Sequence, residues 1–251
     1  MTLINDRTDA IYVESLTMGY GDTVVLKDVA FSVKRGSIFI VMGGSGCGKS
    51  TLLKHLIGLK EPLAGSVFLS GVDYWNADEA TQLSVLRKQG VLFQGGALWS
   101  TLTLLENVAL PLKEFTTLSQ ADCNALARLK LALVGLVGFE DAYPANISGG
   151  MKKRAGLARA MALDPDILFF DEPSAGLDPV TSRNLDDLIL KIRDSLGTTV
   201  VIVTHELSSI FNIGEDAIFL DSQTKTLLAQ ASPKTLAQSG PQSVRAFLTR
   251  I

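Results

Sequence analysis

An α/β fold around a mostly parallel sheet is predicted by three runs of sequence. Ile38-Phe39-Ile40-Val41-Met42, Ile167-Leu168-Phe169-Phe170 and Thr199-Val200-Val201-Ile202-Val203 are apolar at successive positions, not at alternating ones. Strands of that kind need cover on both faces, and helices packed on each side of a parallel sheet provide it. A buried helix would also be apolar throughout, but each run is short and bounded by polar or turn residues. The 251 residues suit one large domain or two small ones with ample core.

The elements follow in chain order. From Ile11 to Val33, and again from Gly65 to Leu69, alternating half-exposed patterns suit antiparallel strands. The strand Ile38 to Met42 leads through a glycine-rich segment into a helix predicted over Thr51 to Leu59. From about Gly95 to Ala162 there are helical patterns and no convincing strand, so this stretch reads as a helical insertion into the sheet domain. Pro179 then opens a helix on which Leu185, Leu188, Ile189, Ile192 and Leu196 share a face, with Asp186, Asp187 and Lys191 elsewhere around it. Gly197 is a fitting stop before the third apolar strand. After Asp221 the tail is short: a strand over Thr226 to Gln230 and helical pieces at Ser232 to Ser239 and Ser243 to Arg250.

Composition excludes several function classes. Mean hydropathy is +0.27 and only 20% of residues are charged, which raises the question of a membrane. The best apolar run, Leu131 to Phe139, stops far short of the ~20 residues a spanning helix needs. Met1 to Arg7 lacks the apolar core of a secretory signal. Two cysteines, Cys47 and Cys123, cannot build a disulfide framework or a Cys-rich metal site, which fits a reducing cytosol. A net charge of −3 argues against a nucleic-acid backbone as the main partner.

The sharpest chemical signal is Gly43-Gly44-Ser45-Gly46-Cys47-Gly48-Lys49-Ser50, which matches G-x-x-x-x-G-K-[ST] between an apolar strand and a helix. Glycines let the backbone curl so that successive N–H groups face phosphate oxygens, and the helix dipole favours their charge. Lys49 would bridge the terminal phosphates and the Ser50 hydroxyl would ligate Mg²⁺. On this reading Lys49→Ala loses most nucleotide affinity, and a thiol reagent at Cys47 inhibits unless ATP protects. A second signal is Asp171-Glu172 at the tip of an apolar strand. Beside a phosphate loop, Asp171 would hold Mg²⁺ through water and Glu172 would polarise the attacking water, whereas alone the pair would read as an acidic turn. The third signal is Ile147-Ser148-Gly149-Gly150-Met151 ahead of the basic segment Lys152-Lys153-Arg154, a serine cap and two glycines at a second helix start suited to an anion.

With two phosphate-type sites in one chain, the sequence resembles the ATP-binding subunit of an ABC transporter, over nearly its whole length and with its motifs in family order. The resemblance implies a RecA-like P-loop NTPase core with an amino-terminal antiparallel part and an inserted helical subdomain, residues 1–251 forming one ATPase domain. It implies ATP and Mg²⁺ as cofactors. Tyr20 matches the aromatic that stacks on adenine, and Gly43 to Ser50, with Thr51 behind them, match the Walker A loop. Gln94 matches the Q-loop glutamine that senses Mg²⁺ and the water. Ser148, Gly149 and Gly150 match the signature motif, and Asp171 and Glu172 the Walker B pair. Asp178, in Ser174-Ala175-Gly176-Leu177-Asp178, matches the D-loop, and His205 the switch histidine. Taken singly, Tyr20 could be a strand-edge aromatic, Gln94 a strand-end amide and His205 a cap; their joint order lifts them. His55, inside the helix after the phosphate loop, reads as structural. In the family the signature motif of one subunit closes over the nucleotide of the other, so the resemblance implies a head-to-tail homodimer driving integral-membrane permease subunits from the cytoplasmic face of the inner membrane.

Met151 in place of the commoner glutamine, with Phe93-Gln94-Gly95-Gly96-Ala97-Leu98-Trp99, resembles the subgroup that powers MCE-type (Mla) phospholipid transport, which implies an MCE lipid-binding protein as a further partner. Leu98 and Trp99 either fold back into the helical insertion or meet a membrane partner. A solute-importer ATPase would share every motif. A non-transport ABC ATPase acting on nucleic acid or ribosomes would want coiled coils, a second ATPase copy or a basic surface, none of which is visible. A nucleotide kinase would leave Ser148-Gly149-Gly150 and His205 unexplained.

Overall fold

The computed structural model describes residues 9–249, so the readings made on Met1 to Arg7 and on Arg250 lie outside the described residues. The chain opens with a hairpin, β1 (Asp9–Tyr20) and β2 (Thr23–Lys34), turned at Gly21 with φ of 53°. β3 (Ile38–Gly43) leads into α1 (Lys49–Leu56). β4 (Ala64–Leu69) and the short β5 (Val72–Asp73) complete an antiparallel sheet of order β2-β1-β4-β5. α2 (Glu79–Leu86), capped by the Asp78 side chain, and β6 (Gln89–Leu92) follow.

Between β6 and the next strand the described chain is helical: α3 (Leu104–Phe115), α4 (Gln120–Leu133), a 3₁₀ turn (Pro144–Asn146) and α5 (Gly149–Ala160). The sheet then resumes with β7 (Ile167–Asp171), α6 (Pro179–Leu196), β8 (Thr199–Val203), α7 (Leu207–Ile213), β9 (Asp216–Asp221) and β10 (Thr226–Ala231), before α8 (Pro233–Ser239) and α9 (Gln242–Leu248). The second sheet has the order β10-β9-β3-β8-β7-β6 and is parallel except where β10 pairs with β9.

The successive apolar residues do what their pattern requires. Ile38, Ile40, Met42, Leu168, Phe170, Val200 and Ile202 pack into a core with the helices, while Phe39, Val41, Ile167, Phe169, Val201 and Val203 pack into a second core shared with the antiparallel sheet and α1. All of β3 and β8 is buried. Among the described residues no helix is long and apolar enough to cross a membrane.

Several details depart from the sequence reading. α1 starts at Lys49 and ends at Leu56, earlier than Thr51 to Leu59, because Leu59 and Lys60 both donate their N–H to the Lys54 carbonyl around Gly58, whose φ is 74°. Leu196 is exposed at the end of α6, whereas Asp186 is buried there, taking a hydrogen bond from Asn212 of α7 at 3.4 Å. β6, β9, α2 and α7 were not singled out. Leu98 packs against the core, as its folding back requires, while Trp99 stays 60% exposed.

Candidate active site

The phosphate loop is moulded by its glycines. Gly43 ends β3 at φ of 151°, and a Cβ there would lie 2.4 Å from the Leu220 carbonyl oxygen and 2.6 Å from Cys47 Sγ. Gly48, at φ of 101°, would press a Cβ to 2.9 Å from both Val25 and Leu26 side chains. Gly44 and Gly46 face open space, and Ser45 and Ser50 are exposed, with Thr51 half-buried behind them. Gly48 is the N-cap of α1 and no side chain caps this helix, so the first-turn N–H groups stay free for an anion. Lys49 bends back over the loop, its Nζ donating to the Gly43 and Gly44 carbonyls at 2.9 and 3.0 Å.

Three adjacent strands, β3, β8 and β7, bring their carboxyl ends together beside this loop. Asp171 ends β7 next to Val203 of β8. Burial pushes its carboxyl above the usual carboxylate range, Glu172 adds to that, and Lys49 and Lys54 oppose it. Glu172 turns the chain at φ of 48°, a left-handed conformation costly for a side-chain-bearing residue. Its Oε1 pairs with Nδ1 of His205 at 2.8 Å, whereas its Oε2 is buried with no protein partner. The structure thus gathers Gly43 to Ser50, Asp171, Glu172 and His205 in one place. His55 is buried in α1 with Nδ1 against the Lys60 carbonyl, as a structural histidine should be.

The remaining candidates lie around this centre. Tyr20 ends β1 with its ring 47% exposed and Lys60 Nζ 4.5 Å from the ring centroid. Gln94 follows β6 and is exposed; the loop after it is held by Arg159, which donates to the Gly96 and Ala97 carbonyls at 3.0 and 2.8 Å. Ser148 caps α5, taking the Met151 N–H at 3.2 Å, with Gly149 and Gly150 as the first helical residues. A hydrogen bond to Thr51 draws the Tyr20 hydroxyl below its ordinary range and ties it to α1 behind the phosphate loop. Gly150 instead faces the start of α6, where a Cβ would come within 2.9 Å of Thr181 Cγ2. Asp178 caps α6, its Oδ1 taking the Val180 and Thr181 N–H groups at 3.0 Å each and its Oδ2 the Thr181 hydroxyl at 2.5 Å.

Sequence reasoning missed Arg159 and Lys153, since a cation at one helical position gives no sign that its target is a distant carbonyl. The donors suit the expected ligands. A loop that only glycine can shape at Gly43 and Gly48, open helix-start amides and a flexible ammonium fit a polyphosphate. No cluster of three or more His, Cys, Asp or Glu suited to a metal occurs among the described residues. A hydroxyl, an amide and one carboxylate are the sparse set with which Mg²⁺ keeps its waters and a substrate phosphate.

Fold and site together define a phosphate-loop nucleoside triphosphatase with a second, separate helix-start motif. Residues 26–175 match the family model described as ABC transporter. The chain belongs to the ABC transporter family. It is 36% identical to the Haemophilus influenzae intermembrane phospholipid transport system ATP-binding protein MlaF, over 95% of this chain and 89% of that one. It is 39% identical to the probable ribonucleotide transport ATP-binding protein mkl of Mycobacterium tuberculosis, over 95% of this chain but only 66% of that protein's length. A solved ATP-binding cassette, dimeric in a post-hydrolysis state and bound to ADP and Pi, is similar at a TM-score of 0.79 with 30% identity, over 88% of this chain and 98% of that one.

Proposed function

We propose that this chain is the ATP-hydrolysing subunit of an ABC transporter that moves phospholipids, residues 1–251 acting as one ATPase domain with 95–162 as its helical insertion. The observation that carries the hydrolytic reading is the Glu172–His205 pair. One carboxylate oxygen is tied to the imidazole at 2.8 Å, and the other is buried without a protein partner, ready to accept a proton from water. The Gly43 to Gly48 backbone cradles the phosphates, and Lys49 exchanges the Gly43 and Gly44 carbonyls for the terminal phosphates of ATP. Tyr20 stacks on the adenine. Ser50, Gln94 and Asp171 hold Mg²⁺, which when bound neutralises charge on the transferred phosphate. Ser148, Gly149, Gly150 and Asp178 of a second copy complete each site, so that two ATP molecules join a head-to-tail homodimer. Its opening and closing drive integral-membrane permease subunits at the cytoplasmic face of the inner membrane, by differential affinity for two permease states.

Glu172→Gln tests this. It keeps ATP binding and slows phosphate release by about a hundredfold or more; near-normal turnover removes Glu172 from its role. The phospholipid reading is supported by the relative named for intermembrane phospholipid transport and by Met151 and the exposed Trp99. The relative named for ribonucleotide transport supports a solute-transport reading instead. Purifying the native complex separates the two. An MCE protein with bound phospholipid is the expected outcome, and a soluble substrate-binding protein in its place sinks the lipid assignment.

A further inference from the structure

Lys153 has no part in the function just described, yet its surroundings are unusual for a lysine. It lies on α5, one turn beyond Gly149, and is 6% exposed. Burying an ammonium is costly unless its donors are taken. Nζ donates to the Ala175 carbonyl at 2.7 Å and to the Glu172 carbonyl at 3.2 Å. Both acceptors belong to one tight turn, in which Ala175 N–H also donates to the Glu172 carbonyl at 3.2 Å and Leu177 N–H to Ser174 at 3.1 Å. Among the described residues no other side chain donates to either carbonyl.

Glu172 needs such support. Its left-handed backbone persists only where the surroundings over-determine it. Its N–H is fixed by the Val203 carbonyl at 2.8 Å and its carboxylate by His205. Lys153 supplies the third hold, on the carbonyl side, and it does so from the helix that begins with Ser148, Gly149 and Gly150.

We propose that Lys153 is a positioning residue for hydrolysis, fixing the Glu172 main chain and thereby its carboxylate, and tying that carboxylate to the signature helix of the same chain. The inference rests on the reading of Glu172 as the group that polarises water. In a head-to-tail dimer the Ser148 end of that helix faces the other copy's ATP, so one ammonium links the two composite sites. Burial pulls the Lys153 ammonium below the ordinary lysine range, and the Glu172 carboxylate beside it opposes that. Methionine keeps the length of the stem without its donors, and arginine keeps both donors and charge.

The experiment compares phosphate release and binding of a fluorescent ATP analogue for the full chain, purified with its co-purifying subunits, as wild type, Lys153→Met, Lys153→Arg and Glu172→Gln, with the Lys153→Met/Glu172→Gln double variant. Lys153→Met is expected to lose about ten- to a hundredfold in kcat with nucleotide affinity within about twofold of wild type. Lys153→Arg is expected to return to within about threefold of wild type, and in the Glu172→Gln background Lys153→Met adds less than about twofold, as residues acting through one group should. If thermal melting shows that the methionine variant does not fold, Lys153→Gln carries the same comparison. A kcat left within about twofold overturns the proposal, as does a parallel loss of affinity or a loss that multiplies with Glu172→Gln. Absence of phosphate release from the wild-type chain overturns the hydrolytic reading itself, and it appears before any variant is compared.

Discussion

Cys47 carries its sulfur on the inner side of the phosphate loop, 2% exposed and 3.9 Å from Lys49 Nζ. Burial pushes its thiol above the ordinary range, with Lys49 pulling only partly back. Because the thiolate is the nucleophile, an alkylating reagent at neutral pH meets a group that is both covered and protonated. Inhibition by a thiol reagent at Cys47 is therefore expected to be slow in the folded protein. Native protein treated with iodoacetamide should label far more slowly than urea-unfolded protein, with the rate climbing as pH passes the usual thiol range; rapid native labelling at Cys47 by mass spectrometry would contradict this. The motif located this side chain in the sequence but could not reveal that Gly43 is packed against it. Lys49, Asp171, Glu172 and His205 were legible because each follows an apolar strand, and parallel strands bring their carboxyl ends to one edge. Lys153 and Arg159 were not, since their acceptors are main-chain oxygens many residues away.

At the scale of elements, α3 owes its entry to Asn107. This side chain is fully buried, accepts the Trp99 N–H at 2.8 Å and donates to the Trp99, Leu102 and Thr103 carbonyls. Thr103 and Glu106 add a reciprocal cap. Removing the amide leaves the Trp99 N–H and the Leu102 carbonyl without their partner, while the Trp99 and Thr103 carbonyls keep main-chain donors, so Asn107→Ala should cost about 1–3 kcal/mol in urea unfolding. A change under about 0.5 kcal/mol would mean that water replaces the amide without loss. The sequence pattern captured α6 well, with Pro179 at its first turn and Gly197 at φ of 65° after its last. It overlooked β6, because four residues including Gly90 carry too little apolar signal, and Gly90 is required there: a Cβ would lie 2.0 Å from the Ala160 carbonyl oxygen. β9 was overlooked although its Ala217 to Leu220 run is fully buried, since the run is short and flanked by aspartates.

For the whole molecule, the decisive pattern was the unbroken apolar character of β3, β7 and β8, from which two-sided cover follows. What that pattern could not convey is which layer covers which face. One face meets the helices and the other the antiparallel sheet, a choice made by contacts far apart in the chain. The alternation of side chains between two cores has a kinetic corollary for the site. A strand clamped on one side can peel away when that side loosens, but one clamped on both cannot move without breaching two interiors together. Slow breathing is therefore confined to the glycine loop that projects beyond β3, while the turn after Glu172 is held by Lys153 and the strand bases stay anchored until the molecule unfolds as a unit. The glycine loop is a mobile fitting on an immobile frame, and each round of turnover begins from the same geometry.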